Sequence, residues 1–132
     1  MKVSAVIKNK FHQHEIVVQT NEDSKEISIA HKPAGYGSSV NGAELLLLSL
    51  ATCFCNDIYR EAAKRNIEVS EVEVVYTGDF GAEGEPGSNF QYRANVIANA
   101  ASEEIEALIK YTDSIAEIHN TLRKGLDITL IS

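Results

Sequence analysis

An unusually apolar segment in the first half of the chain constrains the fold most strongly. It begins Asn41-Gly-Ala-Glu-Leu-Leu-Leu-Leu and is predicted to be a helix from Gly42 to Arg65, about 36 Å long at ~1.5 Å per residue. Asn41 is a favourable N-cap, and Glu44 three residues later is placed to complete a capping box. At the other end, Asn66 tolerates the left-handed conformation that terminates helices. Both ends of the helix are therefore marked in the sequence.

The first half of this helix is apolar on every side. Its apolar residues are Leu45, Leu46, Leu47, Leu48, Leu50 and Ala51. A small domain rarely has enough material to cover a helix all round, so we expect a partner subunit to cover one side. The apolar run ends near Cys55, which is too short for a membrane span of roughly 20 residues. The segment is therefore predicted to be a core helix of a homodimer.

Both cysteines of the chain lie on this helix and face different neighbourhoods. The residues one turn away from Cys53 include Asp57, with Arg60 one turn beyond, whereas those around Cys55 are mostly apolar. Cys53 is thus predicted to lie on a polar seam and Cys55 to face the core, about 200° away around the axis. Divergent Cβ vectors then argue against a disulfide between them. A lone buried cysteine is usually a small hydrophobe, so the reactive candidate is Cys53, with Asp57 opposing and Arg60 favouring its thiolate.

Length, charge and cysteine content narrow the class of protein. A chain of 132 residues that is 44% hydrophobic and 23% charged is predicted to form one domain, residues 1–132. The formal net charge of −7 argues against partners such as nucleic acid or an anionic membrane. The N-terminus lacks the features of a signal peptide, and two closely spaced cysteines are not a disulfide framework. We therefore expect a cytoplasmic protein.

The remaining hydrophobic patterns predict an α+β fold with antiparallel sheet packed on helices. Apolar residues alternate as in strands around Val3–Ile7, Ile16–Val18 and Ile27–His31, with a turn at Asn21–Ser24. These segments make an N-terminal β-meander. The other predicted elements are a hairpin (Val72–Tyr76 with Phe90–Val96), a helix capped by Ser102, a helix from about Asp113 to Gly125, and a closing strand from Leu126 to Ile131. No third ligand accompanies His12 and His14, so no metal site is predicted. No cofactor is predicted either.

The segment from Gly35 to Phe54, Gly-Tyr-Gly-Ser-Ser-Val-Asn-Gly-Ala-Glu-Leu-Leu-Leu-Leu-Ser-Leu-Ala-Thr-Cys-Phe, resembles the signature of the OsmC/Ohr family. The later hairpin, Asn120-Thr-Leu-Arg-Lys-Gly and the closing strand resemble it too. The resemblance implies an intertwined homodimer that reduces organic hydroperoxides in the oxidative stress response. Cys53 matches the peroxidatic position, and Glu44 best matches the family glutamate. A thiol serves as the reductant in such a cycle.

The chain departs from this family pattern at several positions. Ala116 stands where the resolving cysteine is expected, which makes the chain a divergent member. The first arginine is Arg60, so the N-terminal activating arginine is missing. The spacing of the Ohr branch places the acid at Ala43 rather than Glu44, and a proline common before it is absent. Since nine residues separate Glu44 from Cys53, ~13.5 Å of helical rise, only the Glu44 of a second subunit would reach the thiol.

Two functions remain open at this stage. In the first, Cys53 is oxidised by a hydroperoxide and reduced directly by an external thiol, with Cys55, Asp57, Arg60 and His119 as possible supporting residues. In the second, the dimer is non-catalytic and holds a small apolar ligand in a pocket lined by Cys53. The retained Cys53 favours thiol peroxidase activity, and the missing arginine and resolving cysteine favour the binding protein.

Overall fold

The computed structural model describes residues 1–131, and its elements confirm the α+β class with an N-terminal meander and a central helix. Two compact units are present, Met1–Leu45 and a second that begins at Leu46, so their boundary falls inside the central helix. The single-domain organisation stays a prediction. The elements in chain order are β1 (Val3–Lys10), β2 (Gln13–Thr20), β3 (Asp23–Ile27), α1 (Gly42–Lys64), β4 (Val69–Asp79), β5 (Ser88–Ala98), α2 (Ser102–Ile115) and α3 (Glu117–Lys124).

The first unit contains an antiparallel meander in the order β1-β2-β3. Thr20 pairs with Asp23 across a two-residue turn in which Asn21 has a φ of 51°, a conformation that asparagine adopts readily. The turn is therefore tighter than the predicted Asn21–Ser24. The prediction that the third strand runs to His31 is wrong, because pairing with β2 stops at Ile27 and His31 makes only an isolated bridge to Ser38.

Local signals start α1 at Gly42 as predicted and end it at Lys64, one residue before the predicted Arg65. The Asn41 side chain accepts a hydrogen bond from the Glu44 backbone N–H at 2.8 Å, and the Glu44 carboxylate accepts one from the Asn41 N–H at 3.0 Å. This is a complete capping box. At the C-terminal end Asn66 has a φ of 55°, and the Ile67 N–H donates to the Ala62 carbonyl at 2.9 Å. The left-handed residue thereby lets the chain turn out of the helix into β4.

The second unit packs α1 and α2 against the β4-β5 hairpin. The hairpin pairs Val72 with Val96 and Tyr76 with Tyr92, which places every second side chain on the face turned toward the helices. Phe54 and Ile58, four residues apart on α1, are completely buried. The core cluster comprises Phe54, Ile58, Ala62, Ile67, Val96 and Leu108.

The C-terminal part corrects three predictions. Ser102 is the first residue of α2 rather than its cap; the N-cap is Ala101, which forms no side-chain hydrogen bond. The next helix starts at Glu117 instead of Asp113, because α2 continues to Ile115 and Ala116 leaves the helical conformation with ψ 114°. The closing strand does not form in the described residues: Leu126–Ile131 has no hydrogen-bonded neighbour, and a strand needs one.

The first half of α1 is only partly covered. Leu45, Leu46 and Leu47 are half-buried, and Leu48 is 59% exposed. The predicted burial on every side is therefore not reached within one copy of the chain. In the region from residue 1 to 131, no helix is both long and apolar enough to cross a membrane.

Candidate functional site

The Cys53 thiol lies between two carboxylates that come from different helices. It donates a hydrogen bond to Asp57 Oδ2 at 3.6 Å, one turn further along α1, as the helical spacing predicts. Glu117 Oε2, from the first residue of α3, is 3.9 Å from the same sulfur. The thiol itself is half-buried. A partly accessible sulfur with an acceptor for its proton is thus present on the second unit.

The surroundings of Cys53 favour its protonated form. Burial raises the pKa of the Cys53 thiol, and the negative charges of Asp57 and Glu117 raise it further. The backbone N–H of Ile118, in the first turn of α3, acts in the opposite direction and lowers the pKa. The balance is a raised pKa, so the resting group at neutral pH is mainly a thiol.

Asp57 is buried and held by Arg60. Only 4% of Asp57 is exposed, and Arg60 Nη1 lies 2.9 Å from its Oδ1 atom. Burial raises the pKa of the Asp57 carboxyl, although the Arg60 charge partly offsets this effect. Arg60 also donates from Nε to Glu61 at 2.9 Å and is 3.9 Å from Glu117. Arg60 therefore binds carboxylates instead of the thiol, contrary to its predicted role in lowering the thiol pKa.

The same cluster brings three potential cation ligands close together in the described part of the chain. Cys53, Asp57 and Glu117 each offer a ligand atom, and these atoms lie within 4.8 Å of one another. Arg60 already supplies positive charge to two of the three groups. The residues thus form a mixed thiol and carboxylate site with an internal guanidinium cation.

An aromatic cavity of about 130 Å³ lies between α1, α3 and the hairpin. Its wall includes Leu50, one turn before Cys53 on α1, and His119 and Leu122 of α3. The two helices that carry Cys53 and Glu117, α1 and α3, therefore also form walls of the cavity. The lining residues are Leu50, Tyr76, Phe90, Gln91, Tyr92, His119, Leu122 and Arg123. Such a mixture of apolar walls and a few polar groups suits a small organic molecule.

His119 is a structural centre of this cavity. It is 6% exposed, and its Nε2 atom is 2.6 Å from the Tyr76 hydroxyl. Burial lowers the pKa of His119, which favours the neutral imidazole. His119 was predicted as a supporting residue for Cys53; in the described residues its side-chain hydrogen bond is made with Tyr76.

Asp113 links the polar groups at the rim of the cavity. Tyr92 donates a hydrogen bond to Asp113 Oδ1, and Arg123 Nη2 reaches the same oxygen at 2.8 Å. Although burial opposes it, these two contacts lower the pKa of the Asp113 carboxyl. His119 Nδ1 is 3.5 Å from this oxygen. Asp113 is therefore ionised at neutral pH and fixes the rings of the cavity.

Cys55 lies outside the candidate site and outside the core. It is half-buried and lines a shallow groove with Val72 and Val74 of β4. The prediction that it faces the core is wrong, because the face of α1 that enters the core is centred on Phe54 and Ile58. Its separation from Cys53 around the helix leaves the two thiols unpaired, as both are free.

Glu44 is engaged in the capping box, and a catalytic role for it stays a prediction that requires a second subunit. We expect Glu44→Ala to lower the free energy of unfolding by about 1 kcal/mol, since it removes half of the capping box. Glu44→Gln keeps an oxygen acceptor and is expected to change stability by less than about 0.5 kcal/mol. Urea denaturation measures both. A large loss in the glutamine variant would contradict the capping role.

Sequence reasoning missed Glu117, Tyr76, Tyr92, Asp113 and Arg123. Glu117 follows Cys53 by 64 residues, and no glycine or proline marks the break at Ala116 that brings it to a helix start. The alternation of Tyr76 and Tyr92 on facing strands was visible, but their partners on α2 and α3 were not. The sequence offered one signal for Glu117: acidic residues are favoured in the first turn of a helix, so Glu117 could have marked the start of α3.

These features define a class of protein: an α+β protein whose central helix carries a half-buried cysteine and also contributes Leu50 to the wall of an aromatic cavity. The family model described as OsmC-like protein matches residues 35–131. The chain therefore belongs to the OsmC-like family. A comparison with curated protein sequences finds no match.

Solved structures share the fold at low sequence identity. An OsmC-like protein from Mycoplasma pneumoniae has a TM-score of 0.64 and 17% identity, with 92% of this chain and 86% of that chain covered. An OsmC-like hydroperoxide resistance protein from Jannaschia has a TM-score of 0.54 and 14% identity, with 96% of this chain and 87% of that chain covered. An organic hydroperoxide resistance protein from Legionella pneumophila has a TM-score of 0.53 and 18% identity, with 91% of this chain and 89% of that chain covered. At such identities these likenesses establish the fold alone.

Proposed function

We propose that this protein reduces organic hydroperoxides through Cys53, in the cytoplasm and as part of an oxidative stress response. The observation that carries the proposal is the hydrogen bond from the Cys53 thiol to Asp57, in a half-buried site whose helices also wall an aromatic cavity. The names of two structural relatives, both hydroperoxide resistance proteins, support the reaction class.

The chemistry assigns a proton-transfer role to Asp57. Attack of the Cys53 sulfur on the outer oxygen breaks the O–O bond, leaving a sulfenic acid on the protein and an alkoxide from the hydroperoxide. Asp57 accepts the proton of the thiol and returns a proton to the alkoxide, which leaves as the alcohol. Its raised pKa brings it closer to the value that suits a general base near neutral pH. The Ile118 N–H stabilises negative charge on the sulfur.

The cavity suits the organic part of the substrate. Its walls carry the rings of Tyr76, Tyr92 and Phe90, and a volume of about 130 Å³ accommodates a small aromatic or aliphatic group. Hydrogen peroxide has no such group and would gain nothing from these walls. The proposal therefore favours alkyl and aryl hydroperoxides over hydrogen peroxide.

We propose further that the working protein is a homodimer. The 59% exposure of Leu48 on an apolar helix supports this assembly, as does the exposure of Leu126, Ile128 and Leu130 in the C-terminal segment. Exposed apolar side chains are buried when they form part of an interface. A role for Glu44 beside the Cys53 of a second subunit belongs to this same proposal.

A non-catalytic binding protein is the alternative, and the raised pKa of Cys53 together with the missing resolving cysteine favours it. In this reading the aromatic cavity holds a small apolar ligand. The expectation that Cys53 lines such a pocket is wrong for this cavity, because Cys53 is not among its lining residues. Reaction of the thiol with a hydroperoxide separates the two functions.

The test is turnover of cumene hydroperoxide with dithiothreitol as reductant. We expect Cys53→Ser to reduce the rate at least about a hundredfold, because no other group near the cavity replaces the sulfur nucleophile. Cys55→Ser, the matched control, is expected to keep the rate within about twofold, since Cys55 lies in a different groove. Equal rates for the wild type and Cys53→Ser would overturn the proposal. Binding of 2-phenyl-2-propanol, the alcohol formed from cumene hydroperoxide, without any turnover of the hydroperoxide would support the alternative.

A further inference from the structure

The chain offers no internal thiol to finish the catalytic cycle. Cys55 is the second of its two cysteines, and it lines a groove on another face of α1. A sulfenic acid on Cys53 must therefore react with a thiol from outside the chain. This inference rests on the proposed function and concerns the class of that external thiol.

The incoming thiol meets two carboxylates, Asp57 and Glu117, whose negative charge Arg60 compensates only in part. Glu117 Oε2 is 3.9 Å from the Cys53 sulfur, and the Glu117 side chain is 67% exposed. Among residues 1–131, the cation that contacts this cluster is Arg60, which binds Asp57 and Glu61 at 2.9 Å and lies further from Glu117, at 3.9 Å. Asp57, which is buried, adds a second carboxylate 3.6 Å from the sulfur. Glu117 is thus the outermost and least neutralised charge that an approaching molecule encounters.

We infer that Glu117 selects thiols that carry a positive charge near their sulfur, that is, aminothiols, over thiols that carry a carboxylate. The ammonium group pairs with Glu117 while the sulfur approaches Cys53. A negative group at the same place is repelled. At a separation near ~6 Å and an effective dielectric constant of about 60, as for an exposed group largely surrounded by water, one such charge changes a rate by about fivefold at low ionic strength.

The cycle balances with two molecules of thiol. The sulfur of the first attacks the sulfenyl sulfur of Cys53, so that an S–S bond forms, the S–O bond breaks and the oxygen leaves as water. A second thiol attacks the mixed disulfide, which returns the Cys53 thiol and releases the free disulfide. In sum, one hydroperoxide and two thiols give one alcohol, one water and one disulfide.

Thiol–disulfide exchange tests the charge selection without any hydroperoxide. Cys53, in a Cys55→Ser background, is reacted with cystamine, hydroxyethyl disulfide or dithiodiglycolate, which are cationic, neutral and anionic. Mass spectrometry follows the mixed disulfide. Each rate constant is divided by that of a small uncharged thiol with the same disulfide, because this removes their intrinsic differences in reactivity.

We expect the normalised cationic-to-anionic ratio to exceed ~10 at low ionic strength and to fall as salt is added. Glu117→Gln is expected to lower the ratio at least about threefold, even though it speeds all three reactions by lowering the pKa of Cys53. Glu68→Gln, an exposed carboxylate beyond the C-terminal end of α1, is the matched control and keeps the ratio of the parent. Because the readout is a ratio, the general gain in reactivity cancels.

A ratio near one in the parent protein, or one that Glu117→Gln leaves unchanged, would overturn the inference. Turnover of cumene hydroperoxide with cysteamine and with mercaptoacetate is measured alongside. Turnover together with a ratio near one removes the charge selection and leaves the proposed function standing. A high ratio without turnover removes the proposed function and leaves Glu117 as a determinant of which disulfides modify Cys53.

Discussion

Asp57→Asn is expected to accelerate alkylation of Cys53 by iodoacetamide at pH 7 about tenfold, equivalent to a fall of about one unit in the thiol pKa. The reason is that Asp57 raises this pKa in two ways, by its charge and by accepting the hydrogen bond of the thiol at 3.6 Å. In the wild type the rate should rise steeply as the pH increases through the raised pKa. In the variant the same rise occurs at a lower pH. The pH profile of alkylation, in a Cys55→Ser background, gives both values.

The same substitution is expected to slow reduction of cumene hydroperoxide at least about tenfold, because the alkoxide loses its proton donor. A faster alkylation and a slower peroxide reaction would thus separate ionisation of the thiol from proton delivery. Asp79→Asn, at the exposed end of β4, is the control and leaves both rates unchanged. If Asp57→Asn speeds both reactions in parallel, Asp57 merely suppresses the thiolate and has no part in proton transfer.

Phe54→Ala is expected to lower the free energy of unfolding by about 3–5 kcal/mol, the usual cost of removing a fully buried aromatic side chain. Phe54 has no exposed surface, and its ring centroid lies 5.1 Å from that of Tyr92 and 5.8 Å from that of His119. Its loss leaves a hole between α1, the hairpin and α3. Urea denaturation followed by circular dichroism measures the change.

Phe80→Ala provides the comparison for this prediction. Phe80 is 48% exposed in the loop between β4 and β5 and packs on Phe90, so its removal should cost about 1 kcal/mol or less. Similar losses in the two variants would show that the α1 contact with the hairpin does not dominate stability. The predicted difference instead assigns the main stabilising contact to the face of α1 that carries Phe54.

The parts of this molecule that sequence reasoning predicted are those fixed by neighbours along the chain. Asn41, Glu44 and Asn66 determine the ends of α1 through contacts within a few residues, and Asp57 meets Cys53 because four positions make one helical turn. The alternation of apolar residues likewise predicted the β4-β5 hairpin. In each case a local rule is sufficient.

The parts that were missed depend on distant segments or on a partner. Glu117 reaches the thiol only because helix α2 ends at Ile115 and a new helix starts two residues later, and Ala116 carries no sign of that break. Leu126, Ile128 and Leu130 have the spacing of a strand, yet a strand exists only where another strand accepts its hydrogen bonds. The spacing of apolar residues shows which side chains a segment can bury. Whether the segment forms the element depends on its contacts with distant parts of the fold.

The interruption at Ala116 also makes part of the thiol's environment resistant to amino-acid replacement. The N–H that acts on Cys53 belongs to the main chain at position 118, in a first turn whose N–H groups have no partner inside the helix. Nineteen of the twenty amino acids supply that group, and only proline lacks it. Side chains at this position are thus free to diverge while the favourable dipole toward the sulfur is retained.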